Sequence, residues 1–254
     1  MYAEERQQLI VLRAHEAGRV KVAELADDLG VATETIRRDL AVLESQGLLQ
    51  RVHGGAIPAG RMVAFEPEVT ARAQTMADEK RRIAKAALAE LPDGGVIFIE
   101  AGSTAAVFAE LLPLDRELTV VTNSLPIALA LARHPTRTVL TVGGRVRRLS
   151  MAEVDDWALR GIAGARVDVA FVGTNGVSAR YGLTTPDTAE AAVKRALLGV
   201  GSRTILLADH SKVGAVSLCR YGEPRELDLL ITDSGLPAEA AQELEAAGLA
   251  VMTA

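Results

Sequence analysis

From residue 80 onward the chain repeats one pattern: a short run of β-branched and aliphatic residues, a polar or glycine-rich turn, then a helical stretch. Val96-Ile97-Phe98-Ile99, Leu118-Thr119-Val120-Val121, residues 138–142, 168–172 and 204–208, Leu229-Leu230-Ile231 and Leu249-Ala250-Val251 read as strands. Helices are predicted over 80–90, to about 112, to 133, over 187–200 and over 237–247. Parallel strands need a crossover, usually a helix, where antiparallel ones need only a tight turn. The alternation therefore predicts an α/β sheet, largely parallel, with helices on its faces. Aromatics are only 3 % of the chain, so the core must be built from Ala, Val, Leu and Ile.

Ligands of open α/β sheets bind beyond the carboxyl ends of the strands. Polar and glycine-rich residues gather at those positions: Glu100 with Gly102, Ser103 and Thr104; Asn123; Gly143 and Gly144; Asn175; and Asp209 with Lys212. Ser103 and Thr104 stand where a helix begins, a place suited to an anion such as phosphate. Asn123 and Asn175 can bind hydroxyls, and Lys194 or Lys212 can offset charge. Any one cluster reads as ordinary turn chemistry. Five at successive strand ends point to a site for a phosphorylated sugar or polyol.

The first sixty residues follow another pattern. A helix is predicted from Glu5 to about Ala17, and a second over Val22–Leu29, stopped by Gly30. A third runs from about Thr33 to Gln46, with Ile36, Leu40 and Leu43 on one face and Glu34, Arg37, Arg38, Ala41 and Ser45 on the other. Helix, tight turn, helix is the DNA-reading pattern, and the second helix of the pair enters the major groove. A β-prone stretch ending in Gly54-Gly55 suggests a wing that carries Arg51 and His53 to phosphates. Residues 1–57 hold 7 basic and 9 acidic residues, a net of −2. DNA binding must therefore rest on where the arginines sit rather than on bulk charge. Residues 58–67, with Pro58, Gly60 and Pro67, read as a linker between a domain of residues 1–57 and one of 68–254.

Val20-Lys21-Val22-Ala23-Glu24-Leu25-Ala26, Thr33-Glu34-Thr35-Ile36-Arg37-Arg38-Asp39-Leu40 and Gln46-Gly47-Leu48-Leu49-Gln50-Arg51-Val52-His53-Gly54-Gly55 resemble the winged helix of DeoR-family transcriptional regulators. Ala101-Gly102-Ser103-Thr104, Val121-Thr122-Asn123-Ser124, Val142-Gly143-Gly144, Gly182-Leu183-Thr184-Thr185 and Asp209-His210-Ser211-Lys212 resemble the family's C-terminal sensor domain. The resemblance implies a winged helix-turn-helix joined to a larger α/β domain related to ribose-5-phosphate isomerase. It implies double-stranded operator DNA and a phosphorylated sugar or polyol as partners, and a homo-oligomer, dimer or tetramer. On that resemblance Thr33, Glu34, Thr35, Arg37, Arg38, Arg51 and His53 face DNA. Glu100, Gly102, Ser103, Thr104, Asn123, Gly143, Gly144, Asn175, Lys194, Asp209 and Lys212 form the effector site.

Three positions depart from the family pattern. Ala32 replaces a capping serine, a role Thr33 is able to take one residue later. Glu100 replaces an aspartate, and residues 150–157 replace a loop that usually carries a glycine. The lone tryptophan, Trp157, is expected to pack in a helix or an interface.

A repressor of a sugar or polyol catabolic operon is the leading expectation. Two alternatives stand beside it: an isomerase-like enzyme that uses Glu100, Asp209 and Lys212, and a DNA-binding protein whose effector pocket no longer binds. No catalytic residue, metal or cofactor is expected. The single Cys219 excludes an internal disulfide and a cysteine-cluster zinc site, and a cytoplasmic location is expected.

Overall fold

The computed structural model describes residues 3–17, 19–45, 48–52, 54–58, 66–135 and 137–254. They fall into two compact units, Met1–Phe65 and Glu66–Ala254.

The first unit contains α1 (Ala3–Ala17), β1 (Val20–Lys21), α2 (Val22–Leu29), α3 (Thr33–Ser45), β2 (Leu49–Val52) and β3 (Gly55–Pro58). Ile10, Val11 and Ala14 of α1 pack with Leu25 of α2 and with Ile36, Leu40 and Leu43 of α3. Gly30 ends α2 in the left-handed conformation, φ 63°. The Leu48 N–H donates to the Leu43 carbonyl at 2.9 Å, so the chain folds back after α3 as expected. The strands form an antiparallel sheet in the order β1-β3-β2, the wing. Gly55 is required there: a Cβ would lie 1.9 Å from the Val20 carbonyl oxygen.

The second unit runs α4 (Val69–Gln74), α5 (Ala77–Ala87), β4 (Gly95–Ile99), α6 (Ser103–Glu110), β5 (Leu118–Thr122), α7 (Leu125–Leu131), β6 (Thr138–Thr141), β7 (Arg145–Arg147), β8 (Ala152–Val154), α8 (Asp155–Ala163) and β9 (Val167–Val172). It continues through β10 (Gly176–Ser178), β11 (Gly182–Thr185), α9 (Thr188–Leu197), β12 (Gly201–Leu207), β13 (Cys219–Gly222), β14 (Leu229–Thr232), α10 (Ala238–Ala246) and β15 (Ala250–Thr253). Seven strands form one parallel sheet, β15-β14-β12-β9-β4-β5-β6. Side chains alternate across it with period two. Ile97, Ile99, Phe171 and Ile205 meet Ile83, Phe108 and Ile127 on one face. Phe98, Ala170, Val172 and Leu206 meet Ile162, Val193, Leu197 and Leu244 on the other. Phe108 and Phe171 stack at 4.4 Å between centroids.

The chain enters the sheet at β4, moves outward through β5 and β6, then crosses back to β9 on the opposite side of β4. Strand order thus reverses between β4 and β9, and a crevice opens where such a sheet reverses.

Several expectations are corrected. Pro58 belongs to the wing strand and Glu66 to the second unit, so neither is linker. Residues 150 and 151 end the turn before β8, and 152–157 are not a loop but β8 and the start of α8. Trp157 lies on that helix and is 71 % exposed. The small sheet β10-β11-β13 and the hairpin β7-β8 were not foreseen. Their strands are short and mix glycine, polar and charged residues, so they lack the β-branched and aliphatic run that marks the main-sheet strands.

Candidate functional site

The candidate residues form two groups, one in each unit. In the first unit α3 buries Ile36, Leu40 and Leu43 and exposes Glu34, Arg37, Arg38 and Ala41, as its spacing predicts. Thr33 is exposed and Thr35 half-buried. Asp39 faces inward, where Arg6 of α1 donates to it from Nε at 2.6 Å and Gln7 from Nε2 at 2.9 Å. That anchor fixes the rotation of α3 and so the direction in which its neighbours Arg37 and Arg38 point. The Arg37 Nη1 donates to Glu34 at 3.1 Å, whereas Arg38 has no side-chain partner among the described residues. Arg51 of the wing binds the Glu44 carboxylate through its backbone N–H at 2.9 Å and its Nε at 2.7 Å. These bonds hold Glu44 below the ordinary carboxylate range. His53 lies outside the described residues.

Ala32, not Thr33, precedes the first helical residue: its carbonyl accepts from Ile36 N–H at 3.3 Å. Thr33 does not take over the cap, the helix start is not displaced, and alanine offers no side-chain acceptor for the free N–H groups.

In the second unit the expected effector residues follow β4, β5, β6, β9 and β12, which are five consecutive strands of the sheet, except Lys194, which lies on α9. At the reversal point Glu100 accepts from Gly173 N–H at 2.7 Å and from Lys194 Nζ at 2.7 Å. Lys194 also donates to the Gly173 carbonyl at 3.0 Å, and Tyr221 donates to the same oxygen at 3.3 Å. Burial pushes the Glu100 carboxyl above the ordinary range, against the pull of Lys194 and Gly173. Burial opposes charge on Lys194 too, but the Glu100 carboxylate outweighs it and holds the amine above the usual lysine value. Burial pushes the Tyr221 hydroxyl up to about 12. Glu100 therefore does not project into the site: its extra methylene reaches Gly173 and Lys194.

Asn123 accepts from Ala101 N–H at 2.9 Å and donates to the Glu153 carbonyl at 3.4 Å. The Glu153 carboxylate accepts from Gly143 N–H at 2.8 Å. Gly143 and Gly144 turn with φ of 75° and 121°, and a Cβ on Gly144 would lie 2.5 Å from the Val154 carbonyl oxygen. Asn175 accepts from Thr185 at 2.9 Å and donates to Glu66 at 3.2 Å. Asp209 accepts from the Ser211 hydroxyl and, at 3.2 Å, from its N–H. Gly102 precedes α6, and Ser103 and Thr104 form its buried first turn. No described side chain occupies their hydroxyls, and the first-turn N–H groups lack helical partners. Lys212 is half-buried with no side-chain partner among the described residues.

Five residues that sequence reasoning passed over join this group. Glu66 contacts Arg147 at 2.7 Å and Arg72 at 3.3 Å, and Arg147 reaches Asp187 at 3.1 Å and Glu190 at 3.2 Å. One signal was available: Glu190 stands four residues before Lys194 and shares its helix face.

Comparison with known proteins agrees with both halves. A family model described as the DeoR-like helix-turn-helix domain matches residues 6–59, and one described as the DeoR C terminal sensor domain matches residues 75–234. The HTH-type transcriptional regulator GlpR of Haloferax volcanii is 37 % identical over 250 residues, which cover 98 % of this chain and 97 % of that one. The HTH-type transcriptional repressor CsqR of Escherichia coli is 33 % identical over 94 % of this chain and 90 % of its own. The structure of ribose 5-phosphate isomerase A from Methanocaldococcus jannaschii overlaps 55 % of each chain at 20 % identity and a TM-score of 0.41, too partial a likeness to support an argument. The chain belongs to the DeoR family of helix-turn-helix transcriptional regulators.

Proposed function

We propose that this regulator is a repressor whose operator affinity is set by a phosphorylated sugar or polyol bound at the carboxyl ends of β12, β9, β4, β5 and β6. The observation that carries the reading is the adjacency of those five polar strand ends around the β4–β9 reversal. Neighbouring strands lie about 4.8 Å apart, so the outer two ends are roughly 19 Å apart. One sugar phosphate cannot span them all, and the central set, Ser103, Thr104, Asn123 and Asn175, is the core of the site. The phosphate lies at the first turn of α6, where free N–H groups and two hydroxyls converge. Hydroxyls lie toward Asn175, beside the carboxylates of Glu66 and Glu190.

Arg37 and Arg38 enter the major groove, and Arg51 exchanges Glu44 for a phosphate, since an exposed ion pair is worth only about 0–1 kcal/mol. The protein acts as a homo-oligomer in the cytoplasm, because symmetric half-sites need a symmetric reader. Repression is inferred from relatives such as CsqR, named a repressor. It is not an enzyme: Glu100 is held by Lys194 and Gly173, and Asp209 by Ser211, so neither carboxylate stands free as a base.

Thermal melting against glucose, fructose and ribose phosphates, with the parent sugars as controls, tests the reading. Ligand at 100 times its dissociation constant adds about 2.7 kcal/mol, several degrees for a domain of this size. A rise with a phosphorylated compound and not its parent supports the site. A flat response across the panel, or failure of the chain to select any DNA from a random pool, overturns the reading.

A further inference from the structure

Glu66 is the residue at which the chain joins the second unit, and it is buried. Its carboxylate meets Arg147 Nη1 at 2.7 Å, Arg72 Nη1 at 3.3 Å and Asn175 Nδ2 at 3.2 Å. Two of these partners come from the candidate effector site. Asn175 lies in the loop after β9, two residues beyond the Gly173 that binds Glu100 and Lys194. Arg147 lies on β7, directly after the Gly143-Gly144 turn. Next to Glu66, Val69 N–H donates to the Leu149 carbonyl at 2.8 Å, and Glu68 pairs with Arg148 at 2.8 Å.

The cluster is short of positive charge. Arg147 is shared among Glu66, Asp187 and Glu190, and Arg72 is the second cation present. Three carboxylates thus face two guanidiniums. Arg147 Nη1 pairs with Glu66 Oε2 at 2.7 Å, and the buried Arg72 Nε has no hydrogen-bond partner among the described residues. A buried carboxylate depends on every partner it has.

We propose that the Glu66–Arg147–Asn175 cluster is a relay, in which the effector site sets how firmly the chain is held where it leaves for the DNA-binding unit. The idea rests on the effector reading above. A polyol hydroxyl that takes the Asn175 amide, or a shift of the Gly143-Gly144 turn that draws Arg147 toward Asp187 and Glu190, withdraws a partner from Glu66. Glu66 then gains by turning to water. Linkage makes the effect reciprocal: loosening Glu66 must also loosen the loop after β9.

Hydrogen exchange on the full-length chain tests the coupling without any ligand. Asn175→Ala is expected to speed amide exchange over residues 66–74 at least tenfold, and Glu66→Gln to speed it equally over residues 173–178, with β4 and β9 unchanged. Exchange that rises only around each substituted residue overturns the relay. If either variant fails to fold, Thr185→Val removes the hydroxyl that holds Asn175 at 2.9 Å and touches Glu190 at 3.4 Å, and the same rise over 66–74 is expected. Its absence overturns the relay.

A second arm uses DNA selected by the chain and whichever sugar phosphate raises the wild-type melting temperature. With the compound at saturating concentration for each protein, the operator affinity of Glu66→Gln should respond less than a third as much as that of wild type. A normal response at saturation overturns the relay. A wild type stabilised by no sugar phosphate counts against the effector reading instead, and the exchange data still decide the relay.

Discussion

Asp39 points into the first unit from the same helix that points Arg37 and Arg38 outward, and Arg6 of α1 holds it through two hydrogen bonds of 2.6 and 3.3 Å. The pair sits among the apolar residues that join α1 to α3. Removing one partner of a buried ion pair costs about 3–5 kcal/mol. The Arg6 stem can carry its charge toward water, so the lower end applies, roughly 3 kcal/mol for Asp39→Ala. Urea unfolding of the first unit should show that loss, and operator affinity should fall although Asp39 touches no DNA. Unfolding indistinguishable from wild type would remove the anchoring role assigned here.

Arg37 and Arg38 should not be equivalent. Glu34 already holds Arg37, at 3.1 Å, while Arg38 has no such partner among the described residues. Arg38→Ala is expected to weaken binding to the selected operator by about 1–3 kcal/mol and relax its sequence preference, the mark of a base contact. Arg37→Ala should cost less, and Glu34→Gln should strengthen nonspecific binding by freeing Arg37. Binding titrations at several salt concentrations separate the cases, since loss of a phosphate contact lowers the salt slope by about one. Equal, null effects from both alanine variants would displace the reading face from this side of α3.

The strands of the main sheet and the outward side of Arg37 and Arg38 were legible because the strands are runs of β-branched and aliphatic residues and α3 is long enough to show a helical period. The reversal between β4 and β9 was not legible, because strand order depends on which distant segments pair. Glu66 was hidden for another reason. It lies in a stretch with prolines and a glycine, which reads as linker, and its partners stand 6 to 109 residues away in sequence. The weak cap at Ala32 was visible, yet its consequence was not, since tertiary packing of Ile36 and Leu40 holds the helix start regardless.

Acid should unfold the second unit in part through Asp233. Burial opposes its charge, but N–H groups of His210 and Gly235 and the His210 ring, 2.7 Å away at Nδ1, outweigh burial and hold it below its ordinary value of 3.8. A carboxyl depressed by folding adds stability that is complete above its unfolded pKa and is lost as pH falls through the folded one. Urea midpoints measured from pH 5 down to pH 2.5 should therefore decline less steeply in Asp233→Asn than in wild type. Parallel curves would show that Asp233 contributes nothing to the acid response.

Ser103 and Asn123 both belong to the proposed effector site, but their substitutions should differ in kind. No described side chain holds the Ser103 hydroxyl, at the first turn of α6. Ser103→Ala should leave the melting temperature within about a degree and weaken binding of the stabilising sugar phosphate by about 1.5–3 kcal/mol, the worth of a hydrogen bond to a charged group. Asn123 instead ties the end of β5 to the end of β4, through Ala101 N–H at 2.9 Å, and to β8, through the Glu153 carbonyl at 3.4 Å. Its removal leaves buried backbone groups unpaired, at about 1–3 kcal/mol of stability, so Asn123→Ala should melt several degrees lower with or without ligand. Calorimetric titration beside thermal melting distinguishes the two. A Ser103→Ala variant that binds the sugar phosphate as tightly as wild type would move the phosphate away from α6.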